Sequence, residues 1–358
     1  MDKTQTERLP YVDIAKGIGI LLVVLGHNGI CHSGTLVATA IYSFHMPLFF
    51  FLAGLFHEET RTLVSHMARK SKSLVIPCFL VFMAWLTVQA AKNQEALFRE
   101  LRSILFNTLW GTGKTMFWGQ LWFLTSLFMT TSASHLLIRS GIVCNKVARG
   151  ILALLLLPLG TWFLDWGAMT PYVDSFWING RYYYLIQEGL PWNIDLLPIT
   201  CSFYLLGTIF PKRRFGRSSI DEPFAIALAL AAFLAVIAGS LFMNWGINLN
   251  LRQYDHWAGS SLLALSGIAG VLLLSLEFGA LSCRWPRQIL SFLGKRSLWI
   301  LVLHFTFQQN SLVKITSMGL DWTLACAISL IIGVTVPLVI LELWKRLRKK
   351  MMTKTSAT

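Results

Sequence analysis

Ionisable side chains are scarce in this chain, and those standing inside apolar stretches are the ones equipped to do chemistry. The string YVDIAKGIGILLVVLGH, from Tyr11 to His27, carries three of them: Asp13, Lys16 and His27. Each costs on the order of 2.5–3.5 kcal/mol inside a bilayer on insertion scales, so each needs a reason. Lys16 and His27 are eleven residues apart, about 20° past three full turns. On a helix they share a face and lie ~16 Å apart along the axis. A neutral imidazole at one end can accept the proton of a hydroxyl, and an ammonium at the other draws an anion. Asp13, one turn before Lys16, either pairs with it or sits at the favourable start of the helix dipole. Structural readings stand beside these: a lysine near a helix end snorkels to the interface, and a histidine can hydrogen-bond between helices.

Two further histidines lie in apolar sequence. His45 is in SFHMPLFFFLAGLF, where Pro47 should open the helical hydrogen-bond ladder, and His304 is in SLWILVLHFTFQQ, with Gln308 one turn later. Three such histidines imply a polar, hydrated cavity. They do not make a metal motif, since HExxH and an i,i+4 histidine pair are both missing. The cysteines (Cys31, Cys78, Cys144, Cys201, Cys283, Cys326) are scattered without CxxC pairing, which argues against a zinc site or a disulfide framework. Asp195 and Glu277 are further carboxylates in apolar surroundings. Asp195 could reach an outer cavity, and Glu277 could pair with a loop arginine.

The elements that must position these residues are membrane helices. With 55% hydrophobic and 13% charged residues, the chain is too apolar for an ordinary soluble domain. Apolar stretches recur at 14–30, 36–56, 74–91, 117–138, 150–165, 193–211, 223–243, 258–281, 297–313 and 320–343, most near the ~20 residues needed to span. They lack the alternation of barrel strands, so the expected fold is all-α, a polytopic helical bundle of about ten transmembrane helices. The net charge of +14 falls mainly in alternate loops, among them Arg61 to Lys72 and Lys212 to Arg217, and in the tail from Lys345 to Lys354. That asymmetry places both termini in the cytoplasm and points the tail at anionic lipid headgroups instead of nucleic acid. A single transmembrane domain is expected over 1–345, with a basic cytoplasmic tail over 346–358. A cleaved signal peptide is rejected because the first stretch holds Lys16 and His27. The segment from Trp162 to Trp192 holds Trp166, Tyr172, Trp177 and Tyr182 to Tyr184. It reads as an interfacial aromatic belt or as a platform for sugar rings, with Arg181 and Glu188 beside it.

Taken together, four strings resemble the membrane-bound acyltransferase family 3, in particular its fucose 4-O-acetyltransferase-like branch. They are Asp13 to His27 (a basic residue, ten positions, then histidine), SFHMPLFFFLAGLF, QLWFL at Gln120 to Leu124, and LGKRSLWILVLH. They occur in the family's order over nearly the whole chain. The family often has tyrosine at the position of Leu301 and serine at that of Ala53, so any hydroxyl role there is absent or supplied elsewhere. The resemblance implies transfer of an acyl group, usually acetyl, from cytoplasmic acetyl-CoA to a hydroxyl of a sugar or glycan, in a bacterial inner membrane and without a metal. Lys16 and His27 are then the family's functional pair. In the mechanism expected, His27 is the base, with Asp13 beside it in the catalytic set. Lys16, Arg69, Lys72, Arg213 and Arg296 draw the phosphates of the donor, and His45, Gln120, Trp122, Arg181 and His304 are candidates to contact the substrate or its oxyanion. The competing readings are a proton-coupled transporter or flippase of a lipid-linked sugar, and a non-catalytic scaffold or sensor. Against the first, the halves show no repeat.

Overall fold

Helices account for nearly all of the regular structure in the computed structural model, which describes residues 9–31, 35–59, 61–169, 175–178, 181–184, 189–211, 215, 222–281 and 284–355. In chain order the helices are α1 (Pro10–Gly26), α2 (Leu36–Gly54), α3 (Leu63–Lys70), α4 (Ile76–Lys92), α5 (Gln94–Trp110), α6 (Trp122–Arg139), α7 (Lys146–Met169) and α8 (Leu197–Ile209). They continue with α9 (Glu222–Phe242), α10 (Trp257–Ala280), α11 (Arg284–Lys295), α12 (Ser297–Ser317) and α13 (Trp322–Thr355). Two short antiparallel hairpins interrupt them, β1 (Ser175–Ile178) with β2 (Arg181–Tyr184) and β3 (Ile247–Asn248) with β4 (Gln253–Tyr254). In the first, Trp177 is the register partner of Tyr182 and Ile178 that of Arg181.

Among the described residues, seven helices are long and apolar enough to cross a membrane, and eight segments qualify if the bent pair α11 and α12 is counted as one. This is fewer than the ten expected, for identifiable reasons. The stretch at 14–30 forms a helix of 17 residues, at the short limit for spanning. The stretch at 193–211 yields only the 13 residues of α8, because Trp192 and Asn193 take left-handed backbone angles (φ 57° and 60°) and bend the chain just before it. In the other direction, the stretch at 150–165 belongs to a 24-residue helix, α7. Between the apolar stretches at 74–91 and 117–138 the chain forms α5. Pro47 and Pro158 lie inside α2 and α7, which continue as helices around them. One π-helical turn, Ser71–Val75, joins α3 to α4, so that Leu63–Lys92 is one long helix.

The chain forms two compact units. Unit 1 comprises residues 1–41 and 271–358, and unit 2 residues 42–270. In unit 1, α12 and α13 form a helical hairpin whose turn uses Gly319 at φ +82°, a value glycine adopts without strain. Asp321 then caps α13 by accepting from the Thr323 and Leu324 amides at 2.8 and 3.2 Å. Helix α11 lies against α1 so closely that a Cβ on Gly17 would strike the carbonyl of Leu290, and one on Gly294 that of Asp13. Backbone approach through small residues is how helices associate without a hydrophobic drive. Unit 2 uses the same device where Gly54 of α2 meets Tyr204 and Gly207 of α8. There Ile138, Val143, Ala153 and Leu205 form a buried cluster, with Ser202 donating to the Ala153 carbonyl at 2.6 Å.

Candidate functional site

The end of α1 in unit 1 fixes His27. Helix α1 stops at Gly26, and His27 follows as its cap (φ −93°, ψ 4°), its amide bonded to the Val23 carbonyl. The Asn28 amide closes on Leu25 at 2.9 Å, so the Val24 carbonyl loses the donor a continuing helix would give it. Gln308 of α12 replaces that donor, its Nε2 lying 3.0 Å from the Val24 oxygen, and Gln309 Nε2 binds the His27 carbonyl at 2.8 Å. Asn28, 3% exposed, donates to the Cys326 carbonyl and Ser329 Oγ of α13 at 3.0 and 3.2 Å, and its Oδ1 accepts from the Ile30 amide. The turn that carries His27 is thereby pinned to two helices at once.

Beside it lies His304, fully buried on α12, its ring centroid 5.4 Å from that of His27, with Phe305 edge-on to His27 at 5.5 Å. His304 Nδ1 is 3.0 and 2.9 Å from the carbonyls of Ile300 and Leu301. Carbonyls only accept, so Nδ1 carries the hydrogen and Nε2 is left as a bare acceptor. That Nε2 has no hydrogen-bond partner among the described residues, nor has Gln308 Oε1, whose orientation is set by the bond its nitrogen makes to Val24. Buried polar atoms are normally satisfied, so two orphaned acceptors beside a positioned imidazole mark a place where a hydrogen-bond donor belongs.

The other residues singled out in unit 1 lie toward the start of α1 and at the bend between α11 and α12, away from His27. Lys16 is half-buried on α1. Asp13, in the first turn of α1, has Lys295 of α11 at 3.9 Å as an ionic partner. Arg296 donates through Nε and Nη2 to Glu342 Oε1 at 3.2 and 3.0 Å and stacks over the Phe292 ring at 3.7 Å.

In unit 2, His45 is 2% exposed, with Tyr42 edge-on at 5.0 Å. Gln120 sits in the turn Gly119–Leu121 that leads into α6, and Trp122 opens that helix; both are buried. Arg69 pairs with Glu58 at 2.9 Å, whereas Lys72 is exposed in the π-helical turn. Arg181 is in β2, and Arg213 and Glu188 lie outside the described residues.

Two polar assemblies of unit 2 went unread in the sequence. The first is a buried knot at the start of α6. Arg252, itself at φ 59°, donates to Asp195 Oδ2 at 2.9 Å and to Asn193 Oδ1 at 2.8 Å, with the arginine and aspartate side chains 9% and 4% exposed. Asn193 Nδ2 in turn reaches the carbonyls of Gly111 and Trp122 and the Thr125 hydroxyl at 3.1–3.2 Å. The strained backbone at Trp192 and Asn193 is thus held in place by the QLWFL segment it supports. Hydrophilic residues in an apolar stretch were the only available signal.

The second is a group of three histidines. His66 and His135 stack with centroids 4.3 Å apart, and His57 lies 5.2 Å from His135. His57 Nδ1 meets the Tyr204 hydroxyl at 2.9 Å, and His135 Nε2 the Arg61 carbonyl at 3.0 Å. Among the described residues no set of three or more potential ligands is arranged to hold a metal. Arg61 and Arg69 bind Glu58, and Arg149 binds Glu59 at 2.7 Å, so the surroundings are rich in cations. Burial, reinforced by His135 and opposed by Glu59, pushes His57 down from 6.5 to about 4. Between those pH values the unfolded chain binds a proton that the folded one refuses, so stability falls as the pH drops through this window. The expected loss is on the order of 2 kcal/mol after allowing for partial exposure. Thermal unfolding of the detergent-solubilised protein from pH 7 to pH 4 should show it, with a shallower dependence in His57→Gln.

A family model described as an acyltransferase domain, that of acyltransferase family 3, matches residues 9–342, which include both His27 and His304. No curated protein and no solved structure matches the chain. The match covers most of the sequence, and its apolar helices cross the bilayer repeatedly: the chain belongs to acyltransferase family 3 and is a multi-pass membrane acyltransferase.

Proposed function

We propose that the protein moves an acetyl group from cytoplasmic acetyl-CoA to a hydroxyl of a sugar or cell-surface glycan, as the fucose 4-O-acetyltransferase-like branch does. Its setting on this reading is a bacterial inner membrane, with both chain ends on the cytoplasmic side. The observation that carries the reading is the pairing of a pinned His27 with the open acceptor face of His304. The neutral His27 imidazole takes the proton of the hydroxyl as its oxygen attacks the thioester carbonyl. When the C–S bond breaks, the imidazolium returns that proton to the departing sulfur, leaving an ester, free CoA and the starting imidazole. Direct transfer of this kind needs no acyl-enzyme.

His304 Nε2 and Gln308 Oε1 orient the acceptor by accepting from a hydroxyl next to the reacting one, whose own hydrogen goes to His27; with Nδ1 committed to the backbone, neutral His304 is not a donor to an oxyanion. Lys16, some three turns away on α1, is assigned to the donor's phosphates. Lys16→Ala should therefore raise the KM for acetyl-CoA about tenfold, the worth of one charge-assisted bond, and change kcat less. Measuring release of free CoA over a range of donor concentrations checks this. An unchanged KM would remove Lys16 from the donor site.

A further inference from the structure

The bend between α11 and α12 is 82°. Helix α12 has 21 residues, about the length of a membrane span, and the bend sets α11 nearly at right angles to it. Its sequence, RWPRQILSFLGK, divides around the helix into three sectors. Leu293 and Gly294 are buried, with Leu290 beside them, on the face turned to α1. Trp285, Ile289 and Phe292 are 64%, 49% and 40% exposed and fall within about 60° of one another, forming an exposed apolar stripe. Arg284, Gln288 and Lys295 form the neighbouring sector and are exposed.

A second basic group adjoins the first in the same unit. At 34 residues, α13 is about 51 Å long, roughly 20 Å more than the hydrocarbon core. Its C-terminal part carries exposed Lys345, Arg346, Arg348 and Lys349, with Trp344 and Leu347 also exposed. Glu342 binds both Arg296 and Lys345, linking the α11–α12 bend to this end of α13.

We infer that α11 is an interfacial helix whose Trp285–Ile289–Phe292 stripe enters the acyl-chain boundary, while its basic sector and the end of α13 form one rim that binds anionic phospholipid headgroups. An apolar stripe flanked by arginine and lysine is what a helix lying in the interface presents, and the excess of positive charge selects anionic lipid. The contacts of Leu290 and Gly294 with α1 make the lipid surface a brace for the helix that carries Lys16 and His27. The inference rests on the membrane-spanning fold and is independent of the acetyl-transfer reading.

The test uses the full chain in phosphatidylcholine nanodiscs containing or lacking phosphatidylglycerol. A nitroxide on Ile289→Cys, in an otherwise cysteine-free chain, should be relaxed mainly by oxygen, and one on Gln288→Cys mainly by a water-soluble nickel chelate. Equal exposure of both to the chelate would overturn the placement. Independently, native mass spectrometry of the protein released from mixed-lipid nanodiscs should show retained phosphatidylglycerol. Retention should fall several-fold in an Arg284→Gln, Arg348→Gln, Lys349→Gln variant, whose substitutions are all at exposed positions. Equal retention by the variant, or loss of retention only when acetyl-CoA competes for the same residues, would refute the lipid assignment.

Discussion

His27→Ala is expected to abolish acetyl transfer, by about 10²- to 10⁴-fold, while leaving the fold in place. The size follows from removing the base from the reacting hydroxyl. The fold is expected to hold because several bonds of the turn do not involve the imidazole: the His27 amide and carbonyl are bonded to Val23 and to Gln309, and Asn28 makes side-chain bonds to α13. All of these survive truncation at Cβ. Transfer rate and thermal unfolding measured on the same preparation separate the two effects. Retained turnover would remove His27 from the reaction.

The largest loss of stability is expected from Arg252→Met. It strands the Asp195 carboxylate at 4% exposure and takes away the donor to Asn193 Oδ1, in a segment already held at left-handed backbone angles. Breaking one side of a buried ion pair costs about 3–5 kcal/mol, because the remaining carboxylate keeps only the Leu190 amide and little water. Removing both charges, as in Arg252→Met with Asp195→Leu, should recover a good part of that loss. Equilibrium unfolding in detergent of the single and double variants measures it, and a single-variant loss below about 1 kcal/mol would show the knot to be unimportant. Because Asn193 also bonds the Trp122 carbonyl, the single variant should loosen the start of α6 first, seen as faster amide exchange there.

Most of the membrane architecture was legible in the sequence because mean apolarity over some twenty residues is a strong signal and helices are the only open-chain way to satisfy backbone groups in lipid. Where the reading departed from the structure, the cause was local backbone chemistry that such averaging does not register. Asn193 and Trp192 break a stretch that reads as continuously apolar, and the result is a 13-residue α8. Helix α11 escaped notice for the opposite reason. Its two arginines and a lysine dilute the apolar stripe, although the spacing of Trp285, Ile289 and Phe292 at intervals of four and three would have revealed an amphipathic helix.

The same holds for the candidate site. His27 and His304 stood out individually as ionisable groups in apolar strings, and the distance between them is supplied by the packing of α1 against α12. The residues that position them were harder to see. Gln309 and Asn28 are ordinary polar residues at the ends of apolar runs, and only the missing helical donor at the end of α1 explains why they are needed. Asp13 and Lys16 are adjacent on one helix, which suggested a local pair, but Asp13 also has Lys295 from a helix nearly 300 residues further along the chain. The histidine group of unit 2 was out of reach because His57, His66 and His135 come from a turn and two separate helices.

The most direct test of the central claim is transfer of radiolabelled acetyl from acetyl-CoA into an extractable glycan pool by inside-out membrane vesicles containing the wild-type chain. Label is expected in the glycan, in a form released by mild alkali as an O-acetyl ester is, and none with vesicles lacking the protein. Absence of label across several glycan pools, together with no protection of the protein by acetyl-CoA against thermal unfolding, would contradict it and favour a transporter of lipid-linked sugar.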